Sequence, residues 1–310
     1  MFRRRPADSS EDLLVRLAAL TARARELAET QRSRVELAVA LQRGMLPSDL
    51  PRFPGARLAV RYEPANHGLN VGGDWYDAFP LPGGRIGMSI GDVQGHNIEA
   101  AAFMGQVRVG LRALASVTED PGELLGRTND LLISLGADLF ATCTFLRLDP
   151  VAGTLECARA GHIPHIWATA DGRSGIDDGE GGPPLGVLRG VDYPTTLHRL
   201  TAGGVFVLLT DGVVEGPSLH LDDGLDRVMR LAGITAVAGL GVDALATSVM
   251  KLAATVGHED DAAVLVVGHD GGPDEPSGTD QLSSTDQPPG PHPSPDPDQP
   301  PGPHQPPVEA

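Results

Sequence analysis

The chain has 310 residues, 41 of them acidic and 24 basic, for a formal net charge of -17, and 41% are hydrophobic. That is about two domains' length, or one domain with appendages, with enough apolar material for one core. So acidic a chain repels phosphate backbones, which argues against nucleic acid as a partner. Cys143 and Cys157, the two cysteines, cannot make a disulfide framework. No apolar run approaches the ~18 residues of a membrane span. The Arg-rich start has no apolar stretch behind it of the kind a secretory signal carries. These features read as a cytoplasmic protein with no membrane partner.

Residues 1–47 form the first region. A helix is expected from about residue 9 or 10 to residue 43. Leu13, Leu17, Leu20, Ala24 and Leu27 step by four and three, a heptad seam. Gln31 and Arg34 interrupt the seam, and it resumes at Val35, Ala38 or Val39, Gln42 and Met45 or Leu46. Two readings stand: a coiled coil that makes a homodimer, or an amphipathic helix packed on its own domain. Gly44 and Pro47 end the helix.

Residues 48–270 form the second region, with a mixed pattern. Residues 58–62 alternate like a strand. Residues 75–81 and 86–92 read as a hairpin around Pro82-Gly83-Gly84-Arg85. Residues 98–114 and 121–135 carry helical periodicity, the second opened by Pro121. Residues 140–149 and 154–160 make another hairpin, which sets Cys143 and Cys157 facing each other. Strands are expected over 165–169, 193–200, 205–210 and 262–267, and helices over 223–231 and 243–256. Between them, residues 172–182, with Asp177, Asp178 and Glu180, read as a flexible acidic loop. Hairpins with helices inserted in pairs predict an α+β class with antiparallel sheets.

Residues 271–310 hold 13 of the 27 prolines, seven acids and no Lys or Arg. The composition predicts a disordered, solvated tail.

Four acidic positions share a context. Asp74 follows Val71-Gly72-Gly73, and Asp92 follows an apolar strand and Gly91. Asp211 follows residues 205–210 and precedes Gly212, and Asp260-Asp261 immediately precede the last strand. Strand ends bring distant residues to one rim of a sheet. Like charges gathered there repel and raise one another's pKa. Divalent cations remove that penalty, and carboxylates without Cys or His clusters favour Mg²⁺ or Mn²⁺ over Zn²⁺. Asp and Gly are also ordinary turn residues. The residues alone leave metal-dependent phosphoryl chemistry and a cyclase-like site both open.

Six segments occur in order: Val71-Gly72-Gly73-Asp74-Trp75-Tyr76-Asp77, Ile90-Gly91-Asp92-Val93-Gln94-Gly95-His96, Ala160-Gly161-His162, Pro183-Pro184-Leu185-Gly186, Leu209-Thr210-Asp211-Gly212-Val213-Val214-Glu215 and Asp260-Asp261-Ala262-Ala263-Val264. Over about residues 41–268 the chain resembles the SpoIIE/RsbU-type branch of the metal-dependent (PPM) serine/threonine phosphatases. The resemblance implies an αββα sandwich, two antiparallel sheets between helices, with two Mn²⁺ or Mg²⁺ ions at one edge. It implies that Asp92 bridges the ions, Val93 offers its carbonyl, Asp211 and Asp260 complete one ion, and Asp74 holds the second or its water. Asp260 is preferred to Asp261 as ligand, with a swap left open. Asp77 and Asp261 are expected to be neighbours rather than ligands. The implied reaction is in-line attack of an acidified water on a phosphoserine or phosphothreonine phosphorus. The implied substrate is a phosphorylated STAS-type anti-anti-sigma factor in a partner-switching pathway.

Two departures stand out. Asn97 replaces the usual Gly after His96, and Gln94 takes the place of a histidine that animal relatives offer as an acid. His162 is expected as a turn residue bonding backbone, and Trp75, Tyr76 and Phe79 as packing. The rival readings are a catalytically inactive binding scaffold, which the four aspartates argue against, and another two-metal phosphoryl enzyme such as a cyclase.

Overall fold

The computed structural model describes residues 10–64, 72–95, 97–136, 138–217, 219–257 and 260–270. The predicted tail, Val71 and His96 lie outside them. So do the side chains of Leu13, Val35, Ala38, Val39 and Gln42 in the predicted seam.

The chain opens with the 36-residue helix α1 (Ser10–Met45), which runs through Gly44 rather than stopping at 43. After β1 (Ala56–Glu63) come the hairpin strands β2 (Trp75–Pro80) and β3 (Ile86–Val93), then the helices α2 (Ile98–Ala115) and α3 (Pro121–Ser134). Strands β4 (Ala141–Asp149), β5 (Thr154–Ala160), β6 (His165–Ala168), β7 (Ser174–Asp177), β8 (Thr195–Arg199) and β9 (Val205–Leu209) follow. The chain then makes a single-turn α4 (Asp211–Val214), α5 (Leu221–Val237), α6 (Val242–Val256) and β10 (Ala262–His269). Local chemistry sets the helix starts. The Asn97 side chain accepts from Ala100 N at 2.8 Å and caps α2. Asp120 accepts from Glu123 N at 2.8 Å with Pro121 in the first turn of α3.

Two antiparallel five-stranded sheets result, in the orders β1-β10-β9-β6-β7 and β2-β3-β4-β5-β8. Strand alternation gives each sheet two apolar faces. Leu208, Leu265, Val267 and Phe206 meet Met88, Ile90, Leu146 and Leu148 between the sheets. On the outer face of the first sheet, Val207, Leu209, Val264 and Val266 pack on α4, α5 and α6. On the outer face of the second, Trp75, Val93, Cys143 and Phe145 pack on α2 and α3. The layers are therefore helix, sheet, sheet, helix, as the resemblance implies.

Three expectations need correction. Residues 172–182 are not all loop: Ser174–Asp177 form β7, in register with β6. Four residues of mixed polarity carry no alternation signal, and the pairing with His165–Ala168 makes the strand. The helix predicted over 223–231 extends to Val237, because Ala232 and Ala236 are buried against the first sheet and that packing outweighs Gly233. Cys143 and Cys157 do not face each other. Cys157 is opposite Leu146, and the two thiols lie on opposite faces of the second sheet.

Among the described side chains of α1, those at its C-terminal end pack on the sandwich. Met45 and Leu46 join the cluster beneath α2, and the Tyr76 hydroxyl donates to Pro47 O at 3.0 Å. Leu17, Leu20 and Leu27 of the predicted seam are 61%, 66% and 59% exposed.

Candidate active site

The second sheet brings Asp74 and Asp92 together. Trp75 pairs with Gly91, which sets Asp74, one residue before β2, beside Asp92 in β3. Val93 N donates to Gly73 O at 3.3 Å across the same gap. The first sheet brings the other acids. Leu209 pairs with Val264, and Thr210 continues the contact beyond the end of β9. Its N donates to Ala263 O at 3.0 Å, and its hydroxyl accepts from Ala263 N at 2.9 Å. Asp211 thus follows β9 where Asp260 and Asp261 precede β10. The sandwich presents both sets at one rim.

The carboxylates feel one another. Burial, then Asp92 and Asp261, hold Asp74 well above the usual carboxylate range, while a hydrogen bond from the Thr210 hydroxyl opposes them. Burial, then Asp211 and Asp260, push Asp92 up to about 7. Burial and Asp260 raise Asp211, whose Oδ1 accepts from Gly212 N at 2.8 Å. Asp74 is 2% exposed, and its Oδ2 is buried without a hydrogen-bond partner. Such an oxygen is costly unless a proton or a cation meets it. The donor set is all oxygen, from both sheets, and it fits a hard divalent cation.

The backbone is shaped to this crowd. A Cβ on Gly73 would run into the Val93 carbonyl oxygen and lie 2.9 Å from Asp92 Oδ1. One on Gly212 would run into the Asp261 carbonyl. Only glycine lets these strand ends close up.

The two adjacent acids differ. Asp260 is exposed, and its Oδ1 accepts from Asp261 N at 2.8 Å. Asp261 is 1% exposed and accepts from the Tyr62 hydroxyl. Nothing in the sequence marks Tyr62 as part of the site. It lies 199 residues from Asp261, and only the pairing of β1 with β10 joins them. Asp77 lies away from the rim and is an anchor for α2. Its carboxylate accepts from Arg108 at 2.9 Å and twice from Arg112 at 2.8 Å. His162 bonds backbone as expected, with Nε2 3.1 Å from Leu209 O, and its Nδ1 is 2.9 Å from Thr142 Oγ1. Trp75 and Phe79 are packing residues in the cluster under α2.

The family model for Stage II sporulation protein E (SpoIIE) matches residues 82–270. The chain belongs to the SpoIIE family. It falls in the SpoIIE/RsbU branch of the PPM phosphatases. Phosphoserine phosphatase RsbU of Bacillus subtilis is 25% identical over 185 residues, which are 59% of this chain and 54% of that protein. The solved RsbU and RsbW domains of Rv1364c from Mycobacterium tuberculosis share 31% identity at a TM-score of 0.66, covering 73% of this chain and 63% of that one. The catalytic domain of serine/threonine phosphatase PstP, solved with two manganese ions, has the same fold. It is 16% identical at a TM-score of 0.52, with 69% of this chain and 97% of that chain covered. The chain spans 32%, 54% and 38% of the length of three curated relatives that it matches. Both sheets of this SpoIIE-family chain are antiparallel, and among the described residues no helix is long and apolar enough to cross a membrane.

Proposed function

We propose that this SpoIIE-family chain is a metal-dependent phosphatase that removes phosphate from phosphoserine or phosphothreonine on a regulatory protein. The carrying observation is the buried, unpartnered Oδ2 of Asp74 inside a rim of mutually repelling carboxylates. In this reading Asp92 would be the ligand shared by two Mn²⁺ or Mg²⁺ ions. The Val93 carbonyl, Asp211 and Asp260 would help hold one, and Asp74 would hold the other or its water. Asp260 is chosen over Asp261 because it is exposed and acts on both Asp92 and Asp211, while Asp261 is engaged by Tyr62.

Bound ions of this kind acidify water and neutralise charge on the phosphoryl oxygens. The chain's own part is to fix the ligands. The glycines admit the close approach of the strand ends, Thr210 orients Asp74, and Tyr62 holds Asp261 beneath. Gln94 has no titrating proton, so the leaving serine or threonine oxygen draws its proton from solvent.

The substrate we assign is a phosphorylated STAS-type anti-anti-sigma factor in the cytoplasm. Its dephosphorylation would let it sequester an anti-sigma kinase. The naming of RsbU as a phosphoserine phosphatase supports the phosphoseryl part of this assignment. We further assign self-pairing to the exposed leucines of α1. At 36 residues, α1 is about 54 Å long, more than one compact domain can cover. The test of the activity is phosphate release from a phosphoseryl protein after exhaustive chelation. Release should vanish and return with Mn²⁺; undiminished release without metal would overturn the reading.

A further inference from the structure

Away from the carboxylate rim, three side chains of metal-ligand type converge between the sheets. His165 opens β6 and Asp177 closes β7, and the two are direct partners in register. His198 comes from β8. Strands β7 and β8 are edge strands, one of each sheet. His165 Nε2 and His198 Nε2 each lie 3.2 Å from Asp177 Oδ2. The three ligand atoms fall within 4.8 Å of one another. The Phe206 ring floors the group, with centroids 4.3 Å from His165 and 5.4 Å from His198.

Two arrangements compete: a carboxylate accepting N–H bonds from two neutral imidazoles, or a cation held by all three groups. The first accounts for His198, whose Nε2 also has Thr196 Oγ1 at 3.0 Å. It does not account for His165. That residue is 4% exposed, and its Nε2 has no aligned hydrogen-bond partner although the carboxylate oxygen is 3.2 Å away. A nitrogen this buried is costly when its contact with the carboxylate is poorly aligned. The two nitrogen-to-oxygen spacings of 3.2 Å also suit the second arrangement. In a tetrahedral site with bonds of about 2.0 Å to nitrogen and oxygen, neighbouring ligand atoms stand about 3.3 Å apart. Protonation does not interfere. Burial lowers His165 to about 4 and also lowers His198, so both imidazoles offer lone pairs at neutral pH. Burial pushes Asp177 up, but the Gly179 N–H leads the contacts that outweigh it, so the carboxyl group lies below its usual range.

We propose that His165, Asp177 and His198 form a binding site for a divalent transition metal, Zn²⁺ by ligand type, with solvent in the fourth position. Two imidazoles and one carboxylate suit zinc rather than the Mn²⁺ or Mg²⁺ of an all-oxygen rim. Asp177 and His198 are each 21% exposed at the side chain, which leaves an opening for water and for ion entry. The ion would join the edge strands of the two sheets. It would also clasp the base of residues 178–194, the segment that joins β7 to β8. That segment seats Leu185 on Ala141 through bonds of 3.0 and 2.8 Å, and the next residue, Thr142, is the strand partner of Asp92.

The test uses the full chain, stripped of metal and then equilibrated with Zn²⁺ alone. An Asp92→Asn background disables the carboxylate rim, so zinc bound there does not confuse the count. In that background elemental analysis should find one zinc, and Zn²⁺ should raise the Tm. Adding His198→Gln should remove both effects, with the zinc Kd rising more than about a hundredfold, the upper end for residues that merely support a ligand. Co²⁺ in place of Zn²⁺ should give the visible absorption of a tetrahedral site, lost with His198→Gln. Asp177→Asn serves as a second variant should His198→Gln fold poorly. Zinc content and Tm shift unchanged by either substitution would overturn the proposal and leave the cluster as a carboxylate serving two imidazoles.

Discussion

Gly73 and the Val93 carbonyl stand so close that no side chain fits between them, and Asp92 Oδ1 lies 2.9 Å from where a Cβ on Gly73 would stand. The turn before β2 thus fixes how β3 offers both its carboxylate and its backbone oxygen. Gly73→Ala should push Asp74 and Val93 apart. We expect phosphatase turnover to fall at least about tenfold, the lower end for a residue that orients ligands. The Mn²⁺-induced rise in Tm should fall with it. Equal activity and equal Mn²⁺ response in the variant would show that the close approach is dispensable.

Asp77 is 1% exposed and binds Arg108 and Arg112 of α2. Arg108 is itself only 12% exposed at the side chain. Removing one partner of a buried pair leaves an uncompensated charge, at a cost of about 3–5 kcal/mol. Asp77→Ala should therefore lower stability by an amount of that order in chemical denaturation. A loss within 0 to ~1 kcal/mol, the range of surface pairs, would show that α2 is held by its apolar face alone.

Burial lowers His162 to about 4 from a usual value of 6.5. Its folded-state pKa is depressed, so its contribution is present above pH 6.5 and is lost as pH falls through 4. The unfolded chain takes up the proton first. A shift of this size corresponds to roughly 3 kcal/mol. His162→Gln should make the stability difference between pH 6.5 and pH 4 smaller by about that amount. An unchanged acid slope in urea titrations would mean the imidazole is not held neutral.

Leu17 and Leu20 lie exposed on α1. If α1 pairs with a second copy, Leu17→Glu with Leu20→Glu should convert a dimer to a monomer and change turnover of the phosphoprotein. Light scattering beside the activity assay decides. A wild type already monomeric at tens of micromolar, or a double variant unchanged in mass and rate, would contradict self-pairing.

Much of the sandwich is legible in the sequence because its strands are bounded by turn residues and its helices carry full periodicity. Trp75–Pro80 and Ile86–Val93 show it, joined by a Pro-Gly-Gly turn. So does the gathering of aspartates, since each ends or begins a strand. What is not legible depends on contacts between segments far apart. Tyr62 meets Asp261 because β1 pairs with β10. Strand β7 exists because it pairs with β6. His198 meets His165 and Asp177 only when the two sheets stack. The faces that the two cysteines take are not legible, because hairpin register, not hairpin existence, decides which face a thiol takes.

The most direct measurement is steady-state phosphate release from a phosphoseryl protein in Mn²⁺ by the wild type and by Asp92→Asn. The substitution keeps the shape of the side chain and removes the charge proposed to bridge the ions. Turnover should fall by more than about a hundredfold, beyond the loss typical of residues that only support a ligand, while circular dichroism stays that of the wild type. A folded Asp92→Asn protein with near wild-type turnover would contradict the account.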